Sequence, residues 1–575
     1  MEHYHPLSKS ILVLKHRSNY YKNVYMKKIY LKLWVTIFAG ATFFLSSCSK
    51  KIDEAYTNPN AFQRVPVESL LPGIIGNFVG NSSAQGSAYG IANDGRFIGR
   101  YIQYWFTNSS GSSAPNIYDQ MAGAIGASDD LGSIWAMHYY GMGQNLQRMI
   151  QWSKEEKKWD YAGVGHAILA WSWLTMTNTY GDAILKQAFE IDRYIFTYET
   201  QEEIYKECRK QAHLAISYLN QTGDNVSQAN LALGDAYFYG GDREKWKKFA
   251  YSVLARSFNH LTNKSIYQPD SVIAYANLGI NSVSDNATAK FQASGLSGTF
   301  NFFGPFRGNM GVLRQSRFIA NLLSGTNPIF LGVTDPRAPY IIRENTNGTY
   351  RGILPNTGLS GLGTAEVPQS FWGVSSFTST AAPGTDETCR YIFRNGSPFP
   401  IITAAEIHFM KAEAFLRKGP SFSAQARQSY IDGINASFDM LVNTPDYQNS
   451  VPAPLQITSS SRAAYFSNPL VVPAAGSLTR SHIMLQKYIA MYGYGLVETW
   501  VDLRRYHYTD LDPATGQQVY AGFTLPTLFT NNATKSVYRA RPRYNSEYLY
   551  NIAALNSVGG LSLDYHTKEQ WFSLP

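Results

Sequence analysis

Apolar residues recur at helical spacing in several stretches of the chain. Between residues 200 and 220, Ile204, Cys208, Ala212, Ile216 and Leu219 fall on one face behind Thr200 and Glu203, which have capping-box spacing. In 243–261, with Asp242 as N-cap, Trp246, Phe249, Ala250, Val253, Leu254, Phe258 and Leu261 form a stripe. Thr403 and Glu406 are placed to cap a third helix with Ile407, Met410, Ala414 and Phe415 on its core face, and Gly419 with Pro420 stops it. A fourth helix, from Ser423, aligns Tyr430, Ile431, Ile434, Phe438 and Leu441. Helices joined by so few residues fold back on each other, so the pattern predicts an all-α fold of tetratricopeptide-type helix pairs without a strict repeat period. Cys208 reads as core.

Between these blocks, residues 265–400 change to Gly, Ser, Thr, Asn and Pro with scattered rings, as in "SGLSGTFNFFGPFRGNMG" and "GLGTAEVPQSFWGVSSFTSTAAPG". A shorter segment of the same kind runs from Asn108 to Asp129. Long loops in a compact chain tend to carry function.

The N-terminus has a different pattern. Leu33 to Leu45 is an apolar run well short of the ~20 residues a spanning helix requires, and Lys27, Lys28 and Lys32 precede it, which is the plan of a secretory signal. Leu45, Ser46 and Ser47 lead into Cys48 and resemble the lipobox of bacterial lipoproteins, in which the cysteine sulfur is acylated and the peptide is cut before it. The alternative is a plain secretory signal with a chance cysteine. The expected organisation is a signal over 1–47, with Met26 as the expected start, and a lipidated tether over 48–64. One domain then covers 65–575, as a helical block 65–265, a loop-rich segment 265–400 and a helical block 400–575.

That division changes the charge. The chain carries 50 Lys or Arg and 41 Asp or Glu; without the seven basic residues and one Glu of 1–47, 43 and 40 remain. So near a balance, with no basic run longer than a pair after Cys48, gives nucleic-acid binding no support. Cys208 and Cys389 alone follow Cys48, too few for a disulfide framework.

Motifs for chemistry are missing. Ser360 follows Gly358 as in a nucleophile elbow, but Leu362 stands where the second glycine belongs. No dinucleotide fingerprint or phosphate loop occurs, and the histidines after Cys48 never fall at metal-ligand spacing. Carboxylates converging from distant positions for glycoside cleavage are invisible at this level.

Six phrases in order behind the lipobox resemble the SusD/RagB family of outer-membrane nutrient-binding lipoproteins, over roughly 48–575. They are "AWSWLTMTNTYGDAIL" (170–185), "YGGDREKWKKFAYSVLARSFNHL" (239–261), "TDPRAPY" (334–340), "TAAEIHFMKAEAFLRKG" (403–419), "LQKYIAMYGYGLVETWVDLRRYHY" (485–508) and "RPRYNSEYLYNIAAL" (541–555). One departure is that Ala183 and Ile184 follow Gly181 and Asp182, where the family often has proline. Trp246, Arg256, Trp500, Arg504, Arg505, Arg543 and Glu547, within the motifs, read as scaffold packing and buried ion pairs.

The resemblance implies a cell-surface lipoprotein, anchored in the outer membrane, that binds oligosaccharides or in some members peptides. It implies no cofactor and no catalysis, and as partner a SusC-like TonB-dependent transporter that the protein caps as a lid. A surface glycosidase and a protein-binding adaptor are the competing classes. A sugar presents a flat C–H face and a hydroxyl rim, so a binder needs exposed rings beside polar side chains. The candidates are Trp105 and Tyr118 by the shorter loop and Phe303, Phe306, Arg307, Phe371 and Trp372 in the long segment. Trp105 has an alternative place in the core, finishing a helix with Phe97, Tyr101 and Tyr104, and the phenylalanines have one in docking the loop. On the platform reading, Trp372→Ala weakens oligosaccharide binding without unfolding the chain.

Overall fold

The computed structural model describes residues 64–80, 89–109, 131–374, 380–526, 528 and 534–575. The expected signal, Cys48 and Tyr118 lie outside the described residues.

The helices follow from their caps. In chain order the elements that build the scaffold are α1 (Leu70–Ile75), α2 (Ile91–Tyr101), α3 (Gln144–Glu155), α4 (Trp159–Tyr180), α5 (Gln201–Leu219), α6 (Arg243–Asn259) and α7 (Pro269–Leu278). Then come α8 (Arg317–Ser324), α9 (Ala404–Arg417), α10 (Ser423–Asn443), α11 (Arg480–Ala490) and α12 (Leu496–Arg505). Thr200 and Glu203 close a reciprocal capping box on α5, and Asp242 accepts the Lys245 N–H at the start of α6. At α9 only half of the expected cap forms. Thr403 accepts the Glu406 N–H, but the Glu406 carboxylate turns inward and takes two hydrogen bonds from Arg256, at 2.6 and 2.7 Å.

Antiparallel neighbours α3 with α4, α4 with α5, α6 with α7 and α9 with α10 pack as helix pairs, and α5 on α6 and α7 on α9 carry the array from one block into the next. Helix α4 is buried on every side from Asp160 to Tyr180, which is why its sequence shows no polar stripe. Residues Pro66–Pro575 close into one compact unit. Cys208 and Cys389 are both buried and unpaired.

The segment 265–400 is less irregular than its composition suggests. It holds α7, which opens on a proline, and α8, which has Ser316 as N-cap and Gly325 at φ +76° behind it. It also contributes strands β2 (Ala287–Ala289) and β3 (Leu313–Gln315). Strand β1 (Trp105–Thr107) pairs antiparallel with β3, and β2 with β4 (Phe399–Ile402), so two short ladders tie this segment to both helical blocks.

Buried ion pairs pin distant elements together. Arg505 on α12 meets Glu413 on α9 at 2.9 Å and Asp502 at 2.6 Å, and Lys487 on α11 meets Asp502 at 2.7 Å. Arg337 pairs with Asp335 and donates to Gln486 on α11 and Ser437 on α10. Arg504 stacks on Trp500, 3.8 Å from its ring centroid, and donates to the carbonyls of Asn178 and Tyr538. Glu547 accepts from Tyr198 and Asn551, and the Arg543 guanidinium lies over Tyr140. Trp246, Arg256, Trp500, Arg504, Arg505 and Glu547 are buried, as the scaffold reading has them, whereas Arg543 is half-buried beside the half-exposed Tyr140. Where the family often has proline, Ala183 donates its N–H to the Glu199 carbonyl at 3.1 Å, a bond that proline cannot make.

Candidate ligand-binding face

The rings of the irregular segment converge from three places in the chain. Trp105 opens β1, Phe303 precedes a tight turn at Pro305–Arg307, and Phe371 and Trp372 follow the bridge between Asn345 and Pro368. The Trp105 indole meets Phe303 and Phe371 edge-on at 5.7 and 5.9 Å, and Phe371 stacks on Phe393 at 4.3 Å. A Cβ on Gly99 would lie 2.3 Å from the indole, so a glycine there lets Trp105 lie flat against α2.

This geometry corrects the platform expectation for Trp105, Phe303, Phe371 and Trp372. None is more than 1% exposed. The Trp105 N–H donates to the Arg96 carbonyl at 3.0 Å and the Trp372 N–H to the Phe303 carbonyl at 2.8 Å. With Trp105, Phe303 and Phe371 packed ring on ring, Trp372 fully buried and both indole donors held by backbone, no face is open to a ligand. Trp105 takes the core place left open for it, as the first residue of a strand and not the last of a helix.

Phe306 and Arg307 are at the surface. Pro305 sets the backbone of their turn, and Gly308 at φ +68° ends it. Asn395 accepts the Phe306 N–H at 3.1 Å, while Phe300 backs the ring edge-on at 5.3 Å, leaving Phe306 48% exposed. The half-buried Arg307 guanidinium lies 5.4 Å from the centroid of the Phe302 ring, and burial lowers its pKa.

Phe302 links this turn to a cleft of about 220 Å³ between α1 and the loop that follows β2. Gly80 lines the cleft, and a Cβ there would lie 2.6 Å from the Phe302 ring. Tyr237, Phe291, Gln292 and Thr299 complete the lining with rings and polar groups. Sequence reasoning missed Tyr237 and Phe291, because neither lies in a run that marks its neighbours in space.

Among the described residues the carboxyls pushed furthest upward are Asp94, to about 7, and Asp235, to about 6, both by burial. Each serves structure: Asp94 accepts the N–H groups of Ser133 and Ile134, and Asp235 those of Tyr239, Gly241 and the Trp246 indole. Neither lines the cleft. No group of three His, Cys, Asp or Glu among the described residues is placed to hold a metal ion. No helix among them is long and apolar enough to cross a membrane.

The architecture is a helix-pair scaffold that carries an irregular segment with the exposed Phe306 ring. The chain belongs to the SusD-like family described as starch-binding, associating with the outer membrane, whose model matches residues 59–529. It is similar to the solved structure of a SusD/RagB family protein from Bacteroides thetaiotaomicron, at 20% identity over 89% of this chain and 99% of that one, with a TM-score of 0.62. A SusD homolog from Bacteroides fragilis matches at 19% identity over 88% and 100%, TM-score 0.62. A chitin-binding SusD homolog from Flavobacterium johnsoniae matches at 17% over 88% and 98%, TM-score 0.57. At these identities the likeness establishes the fold. No curated protein matches the chain.

Proposed function

We propose that this chain is a lipid-anchored, cell-surface protein of the outer membrane that captures an oligosaccharide and delivers it to a SusC-like TonB-dependent transporter, over which it acts as a lid. The observation that carries this reading is the family match over 59–529. The chitin-binding relative from Flavobacterium johnsoniae supports a glycan as ligand. The exposed Phe306 ring, the Arg307 donors and the cleft behind Phe302 supply what a sugar requires, a ring for its C–H face and polar groups for its rim. Cys48 behind the apolar run supplies the anchor, since several acyl chains hold a protein to a bilayer stably. The protein holds its ligand without altering it.

The test is a glycan and peptide array probed with the chain, followed by incubation of any hit and analysis for products. Retention of a glycan intact supports the reading. Retention of peptides alone moves the ligand class, and cleavage overturns the assignment as a binder. Co-purification with a β-barrel transporter from outer membranes tests the partner, and protease shaving of whole cells tests surface exposure.

A further inference from the structure

We propose that the trough between α3 and α5 is a second binding subsite, separate from the Phe306 face, for an oligosaccharide segment. The inference rests on the reading of the chain as a glycan binder. The trough measures about 1070 Å³, with α4 as its floor and the loop 185–191 closing one end.

Its walls are laid out by helical periodicity. Gln144, Gln147 and Gln151 stand at i, i+3 and i+7 on α3 and line one side. On the other side the charged groups are matched within the protein: Lys186 meets Glu203 at 2.8 Å, Lys206 meets Glu202 at 2.7 Å and Lys210 meets Glu207 at 3.0 Å. Those pairs match the charges of this wall, while Arg148 and Lys154 add positive charge to the trough lining. Of the three amides, Gln144 donates to the Phe189 carbonyl and Gln151 to Glu155, each at 3.1 Å, while the Gln147 side chain forms no hydrogen bond among the described residues.

The floor holds an acceptor whose direction is set by a relay. Gln211 donates its amide N–H to Glu207 at 2.6 Å, which turns its carbonyl oxygen to His166 Nδ1 at 2.5 Å. An amide oxygen only accepts, so Nδ1 carries the proton and Nε2 is a bare acceptor. That Nε2 has no hydrogen-bond partner and is itself covered, His166 being only 5% exposed, so it lies beneath the floor of the trough and not on its surface. Burial lowers the imidazole pKa to about 4, so the acceptor persists at neutral pH. Half-buried Trp152 and Phe189 line the same space. Ring faces and the Gln147 amide, which both donates and accepts, together suit a sugar's C–H face and hydroxyls. A second cleft of about 740 Å³ beside α10 has polar lining but no Trp, Tyr or Phe, and lacks half of that chemistry.

The test is calorimetry of the full chain in detergent with maltohexaose, chitohexaose and xylohexaose, with hydroxyl-radical footprinting of Trp152. The expected result is two binding events for one of these sugars, with protection of Trp152. The double variant Gln147→Ala and Gln151→Ala, on a half-exposed helix face, should weaken one event about tenfold, the equivalent of one or two net hydrogen bonds. Phe306→Ala should weaken the other. A single event that is lost in Phe306→Ala and unmoved in the glutamine variant overturns the second subsite and leaves the proposed function standing. Protection of Trp152 by an unstructured peptide and by none of the sugars overturns the ligand class. No binding of any of the three overturns the inference, and the array above then decides the function independently.

Discussion

Replacing Trp372 with alanine separates a ring that holds ligand from a ring that holds the fold. The indole is 0% exposed and donates to the Phe303 carbonyl at 2.8 Å. Truncation leaves a cavity that costs about 3–5 kcal/mol for a buried aromatic. It also strands the Phe303 carbonyl, which adds roughly 1–3 kcal/mol when no water replaces the donor. Against a total stability of about 5–15 kcal/mol the loss is a large fraction, so the variant should unfold at much lower urea or be recovered poorly. Trp372→Phe keeps a ring and loses the donor, and should fall between the two. The assay is urea unfolding followed by far-UV circular dichroism, with glycan binding measured on the fraction that remains folded. An alanine variant with an unchanged urea midpoint and abolished glycan binding would refute the argument and return Trp372 to the ligand.

Phe306→Ala and Arg307→Ala should leave the urea midpoint within experimental scatter and reduce glycan affinity, checked by calorimetry on the two variants. Asp242→Ala removes the cap on the Lys245 N–H and should cost about 1 kcal/mol in urea unfolding. Glu406→Gln breaks a buried pair in which both carboxylate oxygens accept from Arg256, and should cost about 3–5 kcal/mol by the same measurement. His482 is held down to about 4 by burial while the unfolded chain titrates near 6.5, so its contribution is full above pH 6.5 and declines as pH falls toward 4. Wild type should therefore lose about 3 kcal/mol more than His482→Gln between those pH values, and parallel pH profiles would refute this.

How much of this was legible in the sequence depends on what each feature requires. Helices α5, α6, α9 and α10 were visible because a cap and a stripe of one spacing lie within a few turns of chain. Helix α4 carries no stripe, since neighbours cover it all round, and it surfaced only through the family phrase "AWSWLTMTNTYGDAIL". Helices α7 and α8 carry Pro269 and Ser316 at their starts, but the Gly and Asn content around them hid the signal. The half-formed cap at α9 is a case of long-range competition. Glu406 has the local spacing of a capping box, yet Arg256, which is 150 residues away, takes its carboxylate into the core.

The site divided along the same line. Exposure of an aromatic residue is a property of what packs on it, and composition near Trp372 pointed to a polar loop. The residues that hold it, Phe303 through its backbone carbonyl and Thr388 through its hydroxyl, lie 69 and 16 positions away, outside any short local window. Phe306 differs from Phe303 by three residues and by one turn. Pro305 and Gly308 reverse the chain there, so that one ring faces Trp105 and the other faces water. A tight turn flanked by proline and glycine is therefore a better pointer to a ring on the surface than the polarity of its neighbours. The turn fixes the direction of the side chain, whereas the neighbours only record average solvation.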